Sequence, residues 1–409
     1  NRVTRMVNTK ASGDVRNSFG YTYDANGNIT SVTTGGGTIS YQYDVLNQLT
    51  RETLLDGTII DYEYNPVGNR TKKTVTKDGN TTTTNYTYDV ADQLTSVNSQ
   101  AYSYDANGNL LDNGSKKFVW DTEGRLTEVR KKSDNSLIGQ YEYDSQGRRV
   151  KSTINSVVTN YHYDGDSIQV LYETDGSGAL KTLYTYSADG LLLSITKVGQ
   201  GIYYYHYNAH GDVIQLTDQA GNSVAEYTYD AWGNILTKTG TMAIANPYRY
   251  AGYRYDEETG LYYLMARYYD SNSGRFISND TFLGFGDEPQ SLNQYAYCVN
   301  NPVKYVDPTG NWLQVAWKIV QILWGGASNA WPLFQQYYKA HGKNVRGITP
   351  YEWGKIGIAF VTGAVTTGIG IKISTLQKVF GMTWYEKFVG TVTWEFKKFM
   401  LNNVSRGVN

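Results

Sequence analysis

The chain is poor in cysteine, proline and long apolar runs. Its only cysteine is Cys298, which excludes a framework of intrachain disulfides. An uncharged, glycine-rich run at residues 356–371 has 16 residues, fewer than the roughly 20 that a helix needs to span a bilayer. The sequence begins without an initiator methionine or an apolar signal segment, and its first residues match the end of a repeat. We therefore expect a fragment of a longer protein.

Glycine and tyrosine, by contrast, are abundant, with 42 and 38 residues. Many of them belong to a unit of the form Y-x-Y-D-x-x-G-N/R-Φ, in which Φ is apolar. The unit recurs about every 20 residues, a spacing typical of stacked repeat architectures. It is found at residues 21–29, 41–49, 62–70, 86–94, 102–110, 118–126 and 141–150, and again from Tyr161, Tyr184, Tyr205 and Tyr227.

Each unit predicts a β-hairpin. Tyr-x-Tyr places two aromatic rings on one face of a strand, because side chains alternate with a period of two. Asp-x-x-Gly supplies a tight turn, and a second strand such as residues 29–33 follows. Successive hairpins extend one sheet, and coiling that sheet into a closed wall protects its edges.

Two alternatives to this wall come from the same residues. An ordinary β-sandwich or propeller is one, although the repeat is short for a four-stranded blade of about 40–45 residues. The other is that the tyrosine pairs bind carbohydrate, since tyrosine rings stack on sugars in some proteins. In most proteins such rings pack within the sheet structure instead. A cell-surface glycan is therefore an alternative partner of the repeats.

A different segment, residues 248–311, follows the repeats. It contains YRYAGYRYDEETGLYYLMARYYDSNSGRFISND and, after a short gap, NQYAYCVNNPVKYVDPTGN. It resembles the core segment of Rhs/YD-repeat proteins, a family that includes bacterial polymorphic toxins, Tc-toxin C subunits and the teneurin shell. The matching positions are Tyr253, Tyr255, Asp256, Gly260, Leu261, Tyr262, Tyr263, Arg267, Tyr268, Tyr269, Asp270, Gly274, Arg275, Phe276, Ser278, Asp280, Asn293, Tyr295, Tyr297, Asn300, Asn301, Pro302, Asp307, Pro308 and Gly310.

The resemblance implies a mainly β fold with three parts. A spiralling shell of hairpins occupies residues 1–247, and the core segment, residues 248–311, closes it as a plug. Residues 312–409 lie where the related proteins carry a variable payload, and the resemblance does not cover them.

The resemblance also implies self-cleavage by an aspartic mechanism that uses Arg267, Asp280 and Asp307. Two neighbouring carboxyl groups suit this chemistry, because one keeps a proton while the other acts as a base. The bond at the family's cleavage position is Asn311–Trp312. Here Asn311 replaces the family's usual leucine, and the residue after Asp280 is a threonine instead of the common proline. A purely structural role for the three residues is the alternative.

The last part of the chain, residues 312–409, has a different composition, with seven of the nine tryptophans and four of the 38 tyrosines. Apolar residues at helical spacing predict a small, mainly α region. Eleven Lys and Arg against three Asp and Glu give a basic charge that suits nucleic acid or an anionic membrane. His341 and Lys343 are candidates for metal-free RNase chemistry. The alternative is that both lie in a surface loop and have no catalytic role. The run at residues 356–371 predicts either a buried core helix or a membrane-inserting hairpin.

Together these features predict a polymorphic toxin or wall-associated protein of interbacterial competition, secreted or held at the cell surface. Its shell would encapsulate and deliver residues 312–409 as cargo. The expected partners are an immunity protein and the payload's target, either a nucleic acid or a membrane. A non-toxic adhesion scaffold like the teneurin shell is the alternative. We predict no cofactor and no metal, because His162, His206 and His210 lack the spacing of metal ligands.

Overall fold

The computed structural model describes residues 2–10, 12–187, 190–281 and 289–311. The chain divides into two units, Asn1–Trp312 and Leu313–Asn409, and all described residues belong to the first. The predicted helical region, with its candidate residues His341 and Lys343, lies outside the described residues. Within the described ranges, no helix is long and apolar enough to cross a membrane.

The described residues of the repeats form 24 strands in two antiparallel sheets, and within each sheet every strand pairs with the next one along the chain. The first sheet contains β1 (Arg5–Thr9), β2 (Val15–Tyr23), β3 (Ile29–Thr34), β4 (Gly37–Tyr43), β5 (Leu49–Thr53), β6 (Ile59–Tyr64), β7 (Arg70–Lys77), β8 (Asn80–Tyr88), β9 (Leu94–Val97) and β10 (Gln100–Ala101). The second contains β11 (Ser103–Tyr104), β12 (Leu110–Asp112), β13 (Lys116–Trp120), β14 (Leu126–Lys131), β15 (Leu137–Tyr143), β16 (Arg149–Ile154), β17 (Val157–Tyr163), β18 (Val170–Asp175), β19 (Leu180–Tyr186), β20 (Leu192–Lys197), β21 (Gly201–Tyr207), β22 (Val213–Thr217), β23 (Ser223–Tyr229) and β24 (Ile235–Thr239). This neighbour order confirms the predicted succession of hairpins.

In most repeats an aspartate closes the turn, as the turn at residues 105–109 shows, and Asn65, Ser187 and Asn208 take its place in three others. The Oδ1 atom of Asp105 accepts the N–H groups of Asn107 at 2.9 Å and of Asn109 at 2.8 Å. Gly108 has a φ of +80°, a conformation that costs a glycine little. The turn is therefore specified by its own five residues, which explains why the motif could be recognised in the sequence.

The second tyrosine of each Tyr-x-Tyr pair joins one repeat to the repeat before it. The Tyr64 hydroxyl donates a hydrogen bond of 2.7 Å to the carbonyl oxygen of Leu49, 15 residues earlier. Tyrosines at the same position of other repeats do the same: Tyr43 to Ile29, Tyr88 to Arg70, Tyr143 to Leu126, Tyr163 to Arg149, Tyr186 to Val170, Tyr207 to Leu192 and Tyr229 to Val213. Each of these bonds spans 14 to 18 residues and joins one repeat turn to the strand that follows the preceding turn.

The first two strands of the wall also contact strands that lie about 200 residues later in the chain. The Asn8 side-chain amide donates to the carbonyl of Tyr207 at 3.0 Å, across 199 residues of sequence. Arg16 donates to the carbonyl of Gly221 at 2.7 Å, across 205 residues. Strands β1 and β2 thus lie against the region of β21 to β23, as expected for a wall that spirals.

The plug contains a small antiparallel sheet of its own. Its strands are β25 (Arg254–Asp256), β26 (Leu261–Leu264), β27 (Arg267–Asp270) and β28 (Arg275–Phe276), and short 3-10 turns lie at Tyr250–Gly252, Pro289–Leu292 and Cys298–Asn300. Buried rings such as Tyr262, Tyr269 and Tyr297 pack against residues of the first wall sheet. Leu261, Tyr263, Tyr268 and Ile277 pack against the second.

Buried ion pairs connect the same plug to the wall. The Arg149 guanidinium in β16 bonds both carboxylate oxygens of Asp256, at 2.5 Å and 2.9 Å. In the opposite direction, Arg254 of the plug bonds Glu173 of β18 at 2.7 Å. Such pairs favour one arrangement, because a buried charge that loses its partner is costly. Wall and plug are therefore matched in charge as well as in shape.

Candidate active site

The structure brings together the three residues that the resemblance selected. Arg267 begins β27, Asp280 follows β28, and Asp307 lies near the end of the described chain. The Nη2 atom of Arg267 lies 2.7 Å from Oδ2 of Asp280 and 3.7 Å from Oδ2 of Asp307. All three side chains are buried. Two carboxyl groups therefore share one guanidinium inside the plug.

The turn between β26 and β27 holds the end of the plug segment beside this cluster. The N–H of Ala266 donates to the carbonyl of Thr309 at 3.0 Å, and the Arg267 side chain donates to the carbonyl of Gly310. Gly310 has a φ of +68°, and a Cβ there would lie 2.5 Å from the carbonyl oxygen of Leu264. Only glycine fits this approach, so the DPxG motif is explained by contact as well as by conformation.

The guanidinium of Arg267 has further contacts besides the two carboxyl groups. Its carbon lies 3.6 Å from the centre of the Phe276 ring, and its Nη1 atom donates to the carbonyl of Gln294 at 2.9 Å. Burial lowers the pKa of Arg267 from its usual value, although Asp280 and Asp307 oppose that shift. With two carboxyl groups beside it, the side chain is well placed to carry a positive charge.

Asp307 has the electrostatics of an acid. Burial raises its pKa to about 7, and Asp280 adds to the shift, while Arg267 and the N–H groups of Thr309 and Gly310 oppose it. The backbone N–H of Asp307 donates to the hydroxyl oxygen of Tyr253 at 2.6 Å, which fixes the residue. Near neutral pH a substantial part of this carboxyl group is therefore protonated.

This arrangement can provide an acid and a base at one place. Asp280 lies in a direct ion pair with the arginine, whereas burial raises the pKa of Asp307 to about 7. The next residue after Gly310 is Asn311, which is exposed. The partner residue of the predicted cleaved bond, Trp312, lies outside the described residues.

The histidines of the repeats contact neighbouring side chains of the wall. His206 accepts or donates a bond to Thr217 at 3.0 Å, and His162 stacks on Tyr172. His210 pairs with Asp212 at 2.8 Å, a contact that nothing in the repeat motif predicts. Within the described part of the chain, no group of three or more His, Cys, Asp and Glu side chains could hold a metal.

Gln294 was not selected from the sequence but contacts two members of the site. Its carbonyl accepts from Arg267 Nη1 and from the N–H of Asp280, both at 2.9 Å. Its side-chain amide donates back to the carbonyl of Asp280 at 2.9 Å. A backbone acceptor leaves no signal in a sequence, so only the structure shows this contact.

Two family models match the sequence. The teneurin YD-shell model matches residues 36–303, and the RHS repeat model matches residues 1–39. The tRNA3(Ser)-specific nuclease WapA of Bacillus spizizenii is 49% identical over 78% of this chain and 16% of its own length. The tRNA(Glu)-specific nuclease WapA of Bacillus subtilis subsp. natto is 45% identical over 93% of this chain and 17% of its own length. The chain thus spans about a sixth of the length of these curated relatives.

Among solved structures, the Photorhabdus luminescens Tc holotoxin pore has a similar fold. The TM-score is 0.63 at 22% identity, over 76% of this chain and 17% of that chain. At this identity the likeness concerns the fold, and it supports the interpretation of the repeats as the wall of a shell.

Proposed function

Because this chain belongs to the teneurin YD-shell family of Rhs-repeat proteins, we propose that it is the plugged end of a toxin shell. The shell releases residues 312–409 by cutting its own Asn311–Trp312 bond. The observation that supports this most directly is the buried cluster of Arg267, Asp280 and Asp307, which contacts the chain one residue before that bond.

In this mechanism Asp280 is the base that takes a proton from a water molecule. The hydroxide adds to the carbonyl carbon of Asn311, and protonated Asp307 gives its proton to the nitrogen of Trp312 as the carbon–nitrogen bond breaks. Arg267 orients Asp280 and holds the preceding carbonyl. Asn311, which carries the carbonyl group that the hydroxide attacks, is exposed.

The test is to express the full chain and its Asp307→Asn variant and to follow both on denaturing gels. The unmodified protein is expected to lose its 45.9 kDa band and to give a shell fragment and a fragment that starts at Trp312. The variant stays intact because it cannot donate the proton. Asp270→Asn is the matched control, since Asp270 lies in the same plug and bonds its own turn at Asn272 and Ser273. An unmodified protein that stays at full length refutes the proposal.

The pH profile gives a second, independent measurement. With the pKa of Asp307 raised to about 7, the fraction of the acid in its protonated form falls above neutrality. The rate of cleavage is therefore expected to be halved near pH 7 and to fall about tenfold for each further pH unit. A rate that is constant from about pH 6 to about pH 9 excludes Asp307 as the acid.

A nuclease is the payload that the comparisons favour. Residues 1–311 make up about three quarters of the chain, so the match that covers 93% of it extends into residues 312–409. That relative is named as a tRNA(Glu)-specific nuclease. We extend this activity class to residues 312–409, whose basic charge suits a nucleic acid, with His341 and Lys343 as candidate residues. An immunity protein is the corresponding partner.

The payload is tested by inducing the full chain in bacteria without an immunity protein. Growth arrest with loss of intact tRNA, and membranes that stay polarised, is the expected result. His341→Ala is expected to restore growth. Depolarised membranes with intact tRNA would refute the nuclease and indicate a membrane-active payload. Expression without any effect on growth would favour the adhesion scaffold.

A further inference from the structure

Residues 293–301, here the docking segment, cross a row of consecutive repeat turns. Their buried asparagine side chains donate to turn groups, and two of the asparagines each bridge two successive turns. The bonds run from Asn301 to Asn28 and Asn47 at 2.9 Å and 2.8 Å, from Asn300 to Gln48 and Gly68 at 2.9 Å and 2.6 Å, and from Asn293 to Asn69 and Val67 at 2.7 Å and 3.3 Å. The docking segment therefore requires these turns to be stacked in register.

Gln294 lies between two anchored residues of this segment. On one side Asn293 bonds the turn at residues 65–69, and on the other the Tyr295 hydroxyl donates to the carbonyl of Gly108 at 2.8 Å. The three bonds of Gln294 to Arg267 and Asp280 described above are thus made by a residue that the wall holds on both sides. The backbone of Tyr295 also accepts the N–H of Phe276, the ring on which the arginine lies.

The backbone of the docking segment is strained. Cys298, Val299 and Asn300 have φ values of +52°, +43° and +61°, in the left-handed region that residues with a Cβ avoid. A β-branched residue such as Val299 is a clear outlier there. Such a conformation persists only where its surroundings enforce it, and the two wall bonds of Asn300 are part of that enforcement.

We propose that Asn293 and Gln294 are positioning residues that make completion of the self-cleavage site depend on the stacking of the repeat turns. Stacked turns fix Asn293, and Asn293 fixes the carbonyl of Gln294. That carbonyl then holds Arg267 and Asp280 in their places. Misregistered turns leave Gln294 out of place, so the protein does not cut its payload free before the wall is built. This inference rests on the proposed self-cleavage.

The test compares Asn293→Ala with a control at an exposed asparagine of a repeat turn. Asn222 ends the turn at residues 218–222, where its amide bonds Asp218, and its side chain is exposed. Asn293→Ala is expected to slow self-cleavage about ten- to a hundredfold, as small misplacements of catalytic groups do, whereas Asn222→Ala leaves the rate unchanged. Because Asp307 is untouched, the pH midpoint of the remaining activity stays near 7. A wild-type rate in Asn293→Ala overturns the proposal.

Asn69→Ala, the other partner of the same bond, guards against a simple folding defect. In the double variant the two losses are expected not to add, because one interaction is removed twice. Additive losses that follow the melting temperature would show a general destabilisation and overturn the proposal.

Hydrogen exchange separates this inference from the proposed function. The N–H of Asp280 donates to Gln294, so its exchange is expected to accelerate in Asn293→Ala and to stay slow in Asn222→Ala. This measurement applies even if the unmodified chain does not cleave itself, a result that would refute the proposed function alone. Unchanged exchange of Asp280 overturns the positioning role.

Discussion

Replacing Glu52 with glutamine is expected to make the shell more stable, and more so as the pH rises. Glu52 lies in β5 and is fully buried. Its two carboxyl oxygens contact the Tyr62 hydroxyl at 2.5 Å and the N–H of Ala231 at 2.8 Å. Burial raises its pKa to about 8, and the nearby carboxylate of Asp230 adds to the shift. At neutral pH the folded protein therefore holds a neutral carboxyl group, which glutamine imitates.

The size of the effect follows from the two pKa values. Unfolded Glu52 ionises at its model value of 4.5, while the folded group ionises at about 8. The folded state binds an extra proton between these values, so its stability falls by about 1.4 kcal/mol for each pH unit in that window. Stability is fully present below the lower value and the loss is complete above the upper one. Glu52→Gln avoids this loss, which amounts to roughly 4 kcal/mol at about pH 8.

The assay is thermal unfolding followed by the circular dichroism of the β-sheets, from about pH 5 to about pH 9. The variant is expected to melt roughly 8 °C above the unmodified protein at the upper end and close to it at the lower end. Glu173→Gln is the matched control. Glu173 also accepts a bond from the tyrosine of the next strand, Tyr184 at 2.8 Å.

The control has the opposite electrostatics. Burial alone would raise the pKa of Glu173, but Arg254, Lys197 and the hydroxyl of Tyr184 outweigh it and lower that pKa. Its stabilising charge is lost only as the pH falls below the unfolded value. Across the assay range Glu173→Gln is therefore expected to be less stable by a constant amount, about 3–5 kcal/mol. If the melting temperatures of Glu52→Gln and the unmodified protein change in parallel with pH, the conclusion that Glu52 is neutral in the folded protein is wrong.

Three further variants test the wall and the site. Gly310→Ala is expected to reduce self-cleavage at least about a hundredfold, because the added Cβ would lie 2.5 Å from a backbone oxygen. Gly147→Ala is the control and keeps the rate, since Gly147 has a similar φ and open space around it. Equal rates of the two variants in gel time courses would contradict the importance of the Gly310 contact. Tyr64→Phe loses one bond between repeats and is expected to cost about 1 kcal/mol in thermal unfolding, whereas an unchanged melting temperature would show that the bond contributes nothing. Arg149→Met leaves Asp256 buried without its bidentate partner and is expected to cost about 3–5 kcal/mol. Adding Asp256→Asn is expected to recover part of this, and a further loss in the double variant refutes the pairing argument.

The hairpins were predictable because their determinants are close together in sequence. Asp105 contacts N–H groups two and four residues away, so the turn is written in one short motif. The bonds of the docking segment are different. The bond from Asn300 to Gly68 spans 232 residues, and that from Asn301 to Asn28 spans 273. Asparagine is common in turns, so no pattern marks these two as wall contacts.

The candidate site was found by resemblance, not by local pattern. The plug also contains Asp256 and Asp270, and composition alone does not separate them from Asp280. The structure distinguishes them by their partners: Asp256 binds Arg149 of the wall, and Asp270 accepts bonds within its own turn, from Asn272 and Ser273. The catalytic assignment of Arg267, Asp280 and Asp307 stays a prediction until cleavage is measured.

The contacts of β1 and β2 with the region of β21 to β23 have a consequence for biosynthesis. They join residues about 200 positions apart, so the first strands leave the ribosome long before these neighbours exist. Chain-entropy costs rise only slowly with such a separation, but contacts this distant in sequence make folding slow. Until those neighbours exist, β1 and β2 are held by their pairing with each other and with β3.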